Sequence, residues 1–144
     1  MATAEKLHGP EHVARYLETD GEVGYEWREG TTILLLTTTG RKSGEERTNA
    51  LIFRPWNDAY LIVASKGGTD APPAWFLNIE SDSDVTVQVK ADKFTAHARV
   101  ATPEEKPALW KIMAEAWPAY DDYQQKTDRE IPVVVLERTA GAAA

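Results

Sequence analysis

The sequence predicts a small antiparallel β-barrel braced by helices, and three features of its pattern carry that prediction. Short β-branched or alternating apolar runs are bounded by turn residues. Neighbouring runs are joined by connections of about three residues, and helical segments fall between and after the strands instead of once per strand. A chain of 144 residues suits one domain, and it buries roughly 68–70% of its unfolded surface, enough for one core.

Residues 10–19 open on Pro10 and stop before Gly21, with Val13, Tyr16 and Leu17 at three- and four-residue spacing, so a short amphipathic helix is expected. The run TTILLLTTT at 31–39 is too short and too rich in Thr for a surface helix, and it reads as a buried strand closed by Gly40. Segments 47–55 and 59–65 are strands joined through Trp56-Asn57-Asp58. After the Pro72-Pro73 pair, Trp75, Phe76 and Ile79 share one face of a helix over 72–80. Strict alternation marks 85–90 as a strand, paired with 94–101 across Ala91-Asp92-Lys93. Thr102-Pro103-Glu104-Glu105 has the form of a capping box and opens a helix through Leu109, Ile112, Met113 and Ala116, interrupted at Trp117-Pro118. A last strand covers 131–137. The expected organisation is an N-terminal helix and lead-in over 1–30, a barrel domain over 31–137 and a disordered tail over 138–144, whose Ala140–Ala144 stretch is set aside.

Composition removes several function classes. With 16 Lys and Arg against 23 Asp and Glu, the net charge of −7 disfavours nucleic acid and anionic lipid as partners, because both need a positive field over a whole face. The absence of cysteine excludes disulfides, thiolate metal sites and a cysteine nucleophile. A G-x-G-x-x-G fingerprint is missing, and Gly40-Arg41-Lys42-Ser43-Gly44 lacks P-loop spacing. No run approaches the ~20 apolar residues of a membrane span, and the N-terminus has no signal-peptide pattern. The expected location is the cytoplasm, including a peripheral position on the membrane.

Cations gather where strand reversal would bring them together. In a meander of the first three strands, the 40–46 loop and the end of the third strand share one edge, which sets Arg41, Lys42 and Arg47 near Ser65, Lys66, Gly67 and Gly68. Glycine lets backbone N–H groups approach a ligand, Arg offers a fork and Lys a point charge, as phosphate or carboxylate requires. The competing reading is a solvated turn neutralised by Glu45 and Glu46, and pattern alone favours neither for that loop. Lys66, between an apolar strand and two glycines, has little packing reason to be there.

Trp117, Tyr120 and Tyr123 recur every third residue and could wall a flat ring, with Trp75 on the other side, although such stripes are more often core. His8, His12 and His97 are too scattered for a metal cage and are expected at the surface, and no metal is expected. Ser43 and Ser65 have no neighbouring His and acid in sequence. Glu22, Glu26, Asp128 and Glu130 form no paired-carboxylate site, and Asp128-Arg129 reads as a structural ion pair or turn. Any hard chemistry therefore falls to a bound cofactor.

The blocks LLLTTTGRKSGEERTNALIF, ASKGG, PAWFLNI, VTVQV, YDDYQ and TDREIPVVVLE, in order across 31–137, resemble the deazaflavin-dependent nitroreductase and quinone reductase family. The resemblance implies a split β-barrel similar to flavin reductases, six strands with three or four helices, and an actinobacterial oxidoreductase using coenzyme F(420), an 8-hydroxy-5-deazaflavin. It also implies hydride transfer to a small-molecule acceptor, a quinone, nitroaromatic or activated alkene. Deazaflavin carries carbon at the flavin's reactive nitrogen, so it passes hydride and not single electrons.

By the same resemblance Arg41, Lys42 and Lys66 hold the coenzyme's anionic tail, joined by Ser43, Arg47 and Gly67, while Ser65 and Trp75 lie beside the deazaflavin. Trp117, Tyr120 and Tyr123 line the acceptor side. The catalytic group is then Tyr120, Tyr123 and Ser65, a tyrosine hydroxyl orienting or protonating the acceptor. Trp117 stands where the family often has Tyr, which bears on nitroimidazole reduction, and the N-terminus lacks the apolar helix that some members present to the membrane. Two alternatives stay open: a flavin mononucleotide (FMN) oxidoreductase on the same barrel, and a non-catalytic deazaflavin carrier.

Overall fold

The computed structural model describes residues 9–26 and 31–139. Strand β1 (Thr32–Thr39) pairs antiparallel with β2 (Glu46–Trp56), in register from Thr39↔Glu46 to Thr32↔Phe53. A two-residue turn at Asn57-Asp58 leads to β3 (Ala59–Val63), with Asn57 taking the positive φ (55°) such a turn demands. Strands β4 (Asp84–Val89) and β5 (Asp92–Val100) form the second hairpin, and β6 (Val133–Arg138) runs between β3 and β5. Pairing of β1 with β4, through Leu36↔Val87, closes a six-strand antiparallel barrel in the order β1-β2-β3-β6-β5-β4. The second turn differs from expectation. It is Lys90-Ala91, with Lys90 at φ 55°, and Asp92 already pairs with Val89.

The apolar run of β1 follows from burial on both sides. Leu34 and Leu36 enter the barrel interior with Phe53, Ile62, Val87, Phe94, Val134 and Leu136. Ile33 and Leu35, on the opposite face, pack under Tyr16 of α1 (Gly9–Thr19). The outer face of β3 and β6, with Leu61, Val133 and Val135, is covered by Leu109 and Met113 of α3 (Lys106–Ala116) and by Tyr120 of α4 (Ala119–Gln125). Helix α2 (Ala74–Ser81) buries Trp75, Phe76 and Ile79, as their spacing predicts.

Two local details position the helices. The Tyr16 hydroxyl donates to the Ile33 carbonyl at 3.0 Å and accepts the Lys90 amide at 2.7 Å, which fixes the rotation of α1 and leaves Leu17, one step around the helix, 48% exposed. Leu17 therefore does not join the apolar face assigned to it from sequence. The capping box forms, with Thr102 N–H donating to Glu105 Oε2 at 2.9 Å and Glu105 N–H to Thr102 Oγ1 at 3.3 Å, though the regular helix begins only at Lys106. The Arg99 guanidinium and the Thr102 amide hold the Glu105 carboxyl down to about 2. Pro118 disfavours helical backbone at Trp117, which extends (φ −144°, ψ 87°) and separates α3 from α4.

Candidate functional site

A cleft of about 900 Å3 lies along β2, from Arg47 to Ile52, and reaches His12 of α1. Its rim carries Arg41, Lys42 and Ser43 from the β1–β2 loop and Lys66 from the short turn Lys66–Gly68 that follows β3. Ser65, Trp75 and Asn78 line it where α2 begins, and Trp117, Tyr120 and Tyr123 line it from the α3–α4 break. Of the site residues expected from sequence, all but Gly67 line this cleft. Gly67 is the middle residue of the Lys66 turn, and its place is given by that backbone alone.

Arg41, Lys42, Arg47 and Lys66 are exposed, and among the described residues none of the four is in an ion pair, with Glu45 and Glu46 of the same loop or with any other carboxylate. Arg41 is nonetheless anchored. Its backbone N–H and Nη1 both donate to Asn78 Oδ1 at 3.2 Å, and the buried Asn78 donates through Nδ2 to Thr38 Oγ1 at 3.0 Å. Sequence reasoning missed Asn78, whose one signal was a polar residue on the apolar face of α2. Ser43 braces its own loop by accepting the Glu45 amide at 3.1 Å.

The aromatic wall belongs both to the core and to the lining of the cleft. Tyr120 is 5% exposed and packs with Leu109 and Met113, yet its ring meets Tyr123 edge-on at 6.1 Å along the cleft. Burial, and then the neighbouring Tyr123, push the Tyr120 hydroxyl well above the usual phenol range, so it keeps its proton at neutral pH. Among the described residues that hydroxyl has no hydrogen-bond partner, which leaves its donor and acceptor capacity to whatever enters. Ser65 is buried at the head of the Lys66 turn.

Two expectations are corrected. His12 is not a surface residue: it is 4% exposed, its Nε2 lies 2.8 Å from the Gly24 carbonyl, and it lines the cleft, because α1 lies across β1 and β2 instead of fraying. His97 is exposed; His8 lies outside the described residues, as does the Ala140–Ala144 stretch. Arg129 makes no ion pair with Asp128; its guanidinium donates to main-chain carbonyls of the Ala64–Thr69 segment. Among the described residues no three His, Asp or Glu side chains stand together as metal ligands, and no helix is long and apolar enough to cross a membrane.

A closed antiparallel barrel with a cation-rimmed, aromatic-walled cleft outside β2 defines the class, the split-barrel reductases. The family described as F(420)H(2)-dependent quinone reductase matches residues 9–138, and the chain belongs to that family of oxidoreductase enzymes. The F(420)H(2)-dependent quinone reductase Rv1261c of Mycobacterium tuberculosis is 40% identical over 130 residues, covering 88% of this chain and 87% of the relative. A solved F(420)H(2)-dependent reductase, FDR-A, is 42% identical over 73% of this chain and 93% of its own, with a TM-score of 0.68. A structure described as a domain-swapped dimer is 40% identical, covers 88% of this chain and 95% of its own, and has a TM-score of 0.70. The mycobacterial relatives agree with the actinobacterial character expected from sequence.

The residues present fit a deazaflavin coenzyme. Four cations of the lining, none in an ion pair among the described residues, match an anionic tail, and the aromatic residues of the same lining match a flat tricyclic ring.

Proposed function

We propose that this protein transfers a hydride from reduced coenzyme F(420) to a quinone, with nitroaromatic and activated-alkene compounds as further acceptors. When bound, the deazaflavin supplies two electrons and a proton as hydride, chemistry that no side chain of the cleft can supply. The chain's own work is to hold and align. Arg41, Lys42, Arg47 and Lys66 grip the anionic tail, with Ser43 and the Gly67 backbone completing that end, while Ser65 and Trp75 flank the ring. Tyr120 and Tyr123 face the acceptor, whose oxygen gains negative charge as hydride arrives, and a neutral phenol hydroxyl donates to it or protonates it.

The observation that carries this reading is the gathering, on an acidic chain, of four exposed cations in the lining of an aromatic cleft, none of them in an ion pair among the described residues. Such a cleft recognises a polyanionic ligand, and the family's coenzyme is one. The FMN reading gains no support from the comparisons, since the matched family is defined by its deazaflavin. The test is anaerobic turnover of reduced F(420) with a soluble quinone, a nitroaromatic and an enone. Oxidation of the coenzyme at a rate saturating in quinone supports the proposal. Tight coenzyme binding with no turnover on any acceptor would point to a carrier instead.

A further inference from the structure

The turn that carries Lys66 is held from below by a single side chain. Arg129, in the stretch between α4 and β6, donates through Nη1 to the Ala64 carbonyl (3.2 Å), through Nη2 to the Ser65 carbonyl (2.7 Å) and through Nε to the Thr69 carbonyl (2.8 Å). These carbonyls flank Lys66–Gly68 on both sides, so one planar fork spans the entry and the exit of the turn. Lys66 needs such support. Its φ of 45° lies in the left-handed region, which a side chain with a Cβ adopts only where its surroundings impose it.

The clasp is itself anchored. Gln124 donates from Nε2 to the Arg129 carbonyl (2.8 Å) and accepts the Ile131 amide (2.9 Å), and Thr127 Oγ1 donates to Asp70 Oδ1 (2.7 Å) just past the turn. Gly68 lies so close to the Tyr123 backbone that an added Cβ would stand 2.5 Å from the Tyr123 carbonyl oxygen. The Lys66 turn and helix α4 with Tyr120 and Tyr123 therefore form one locked unit.

We infer that Arg129 is a positioning residue for coenzyme binding: by bonding carbonyls at both ends of the turn it holds the Lys66 ammonium at the rim of the cleft. The inference rests on the reading that Lys66 grips the coenzyme's anionic tail. A lysine at 129 offers a point charge that cannot bridge three carbonyls, so charge conservation does not preserve the turn.

The test is fluorescence titration with oxidised F(420), over a series of salt concentrations, of the wild type, Lys66→Ala, Arg129→Lys, Arg129→Gln and each Arg129 variant combined with Lys66→Ala. Circular dichroism establishes that each protein is folded, and the milder Arg129→Lys carries the comparison if Arg129→Gln does not fold. The expected result is about tenfold weaker binding for each single Arg129 variant, a salt dependence reduced to that of Lys66→Ala, and double variants no weaker than Lys66→Ala alone. A purely structural role would lower melting temperature while leaving affinity unchanged. Unchanged affinity, or losses that multiply in the double variants, would overturn the inference while leaving the Lys66 reading intact; unchanged binding by Lys66→Ala would overturn both.

Discussion

The Trp117 indole N–H donates to the Tyr123 hydroxyl at 3.3 Å. A phenol oxygen that accepts this bond has its own proton left to give, and on the proposed reading that proton goes to the acceptor in the cleft that Tyr123 lines. Trp117→Phe keeps an aromatic ring but removes the pyrrole portion of the indole with its N–H. We expect kcat/KM for a quinone to fall about fivefold while the coenzyme Kd stays within about twofold, the loss of one hydrogen bond of ordinary strength. Steady-state kinetics beside a binding titration check this, and an equal loss in Tyr123→Phe and in the double variant is the expected signature of a shared hydrogen bond.

Tyr120→Phe separates packing from chemistry. The ring is buried among Leu109 and Met113, but the hydroxyl has no partner among the described residues, so its removal should leave melting temperature within a few degrees. Turnover should fall by roughly tenfold or more with coenzyme affinity nearly intact. Unchanged turnover would mean that the hydroxyl is idle and the ring alone matters, and equal losses in affinity and turnover would mean that the hydroxyl serves coenzyme binding.

Gly68→Ala is expected to damage the site severely. The residue sits at φ +83° and its Cβ would collide with Tyr123 backbone, which cannot yield as a flexible side-chain tip would. Strain and clash together should cost about 2–4 kcal/mol in chemical denaturation and weaken coenzyme binding. Gly44→Ala is the matched control: its φ is +75°, but nothing lies within 4 Å, so it should show the conformational cost alone.

Much of this architecture was legible in the chain, and the parts that were not have physical reasons. The strands were readable because β-branched alternation and turn residues are local signals, and the meander then placed Arg41 and Lys66 on one edge by geometry alone. The capping box at Thr102 was readable for the same reason. Leu17 was misplaced because a single tyrosine hydroxyl, bonded to β1 and to the β4–β5 turn, decides how α1 rotates. Likewise, His12, Asn78 and Arg129 act through partners 12, 37 and about 60 residues away, separations over which residue spacing is silent.

Alkaline pH should weaken the fold through Tyr16. Burial pushes its phenol up to about 12 from 10.0, so the unfolded chain loses that proton first. The folded state then binds more protons than the unfolded one between those values, and stability falls as pH rises from about 10, by about 2 kcal/mol at pH 12. Below pH 10 the group contributes no slope. Tyr16→Phe should start less stable, since it leaves the Lys90 amide without its acceptor, but decline less steeply across that window in urea melts.

The cation-rimmed cleft as the seat of an anionic deazaflavin is tested most directly by titrating the wild type, Lys42→Ala and Lys66→Ala with oxidised F(420) and with FMN at low and high salt. Preference for F(420) is expected, with a loss of about 1–3 kcal/mol in each variant and a gap between wild type and variants that narrows as salt rises. Wild-type and variant curves that superimpose at every salt concentration, or equal affinity for FMN, would contradict it.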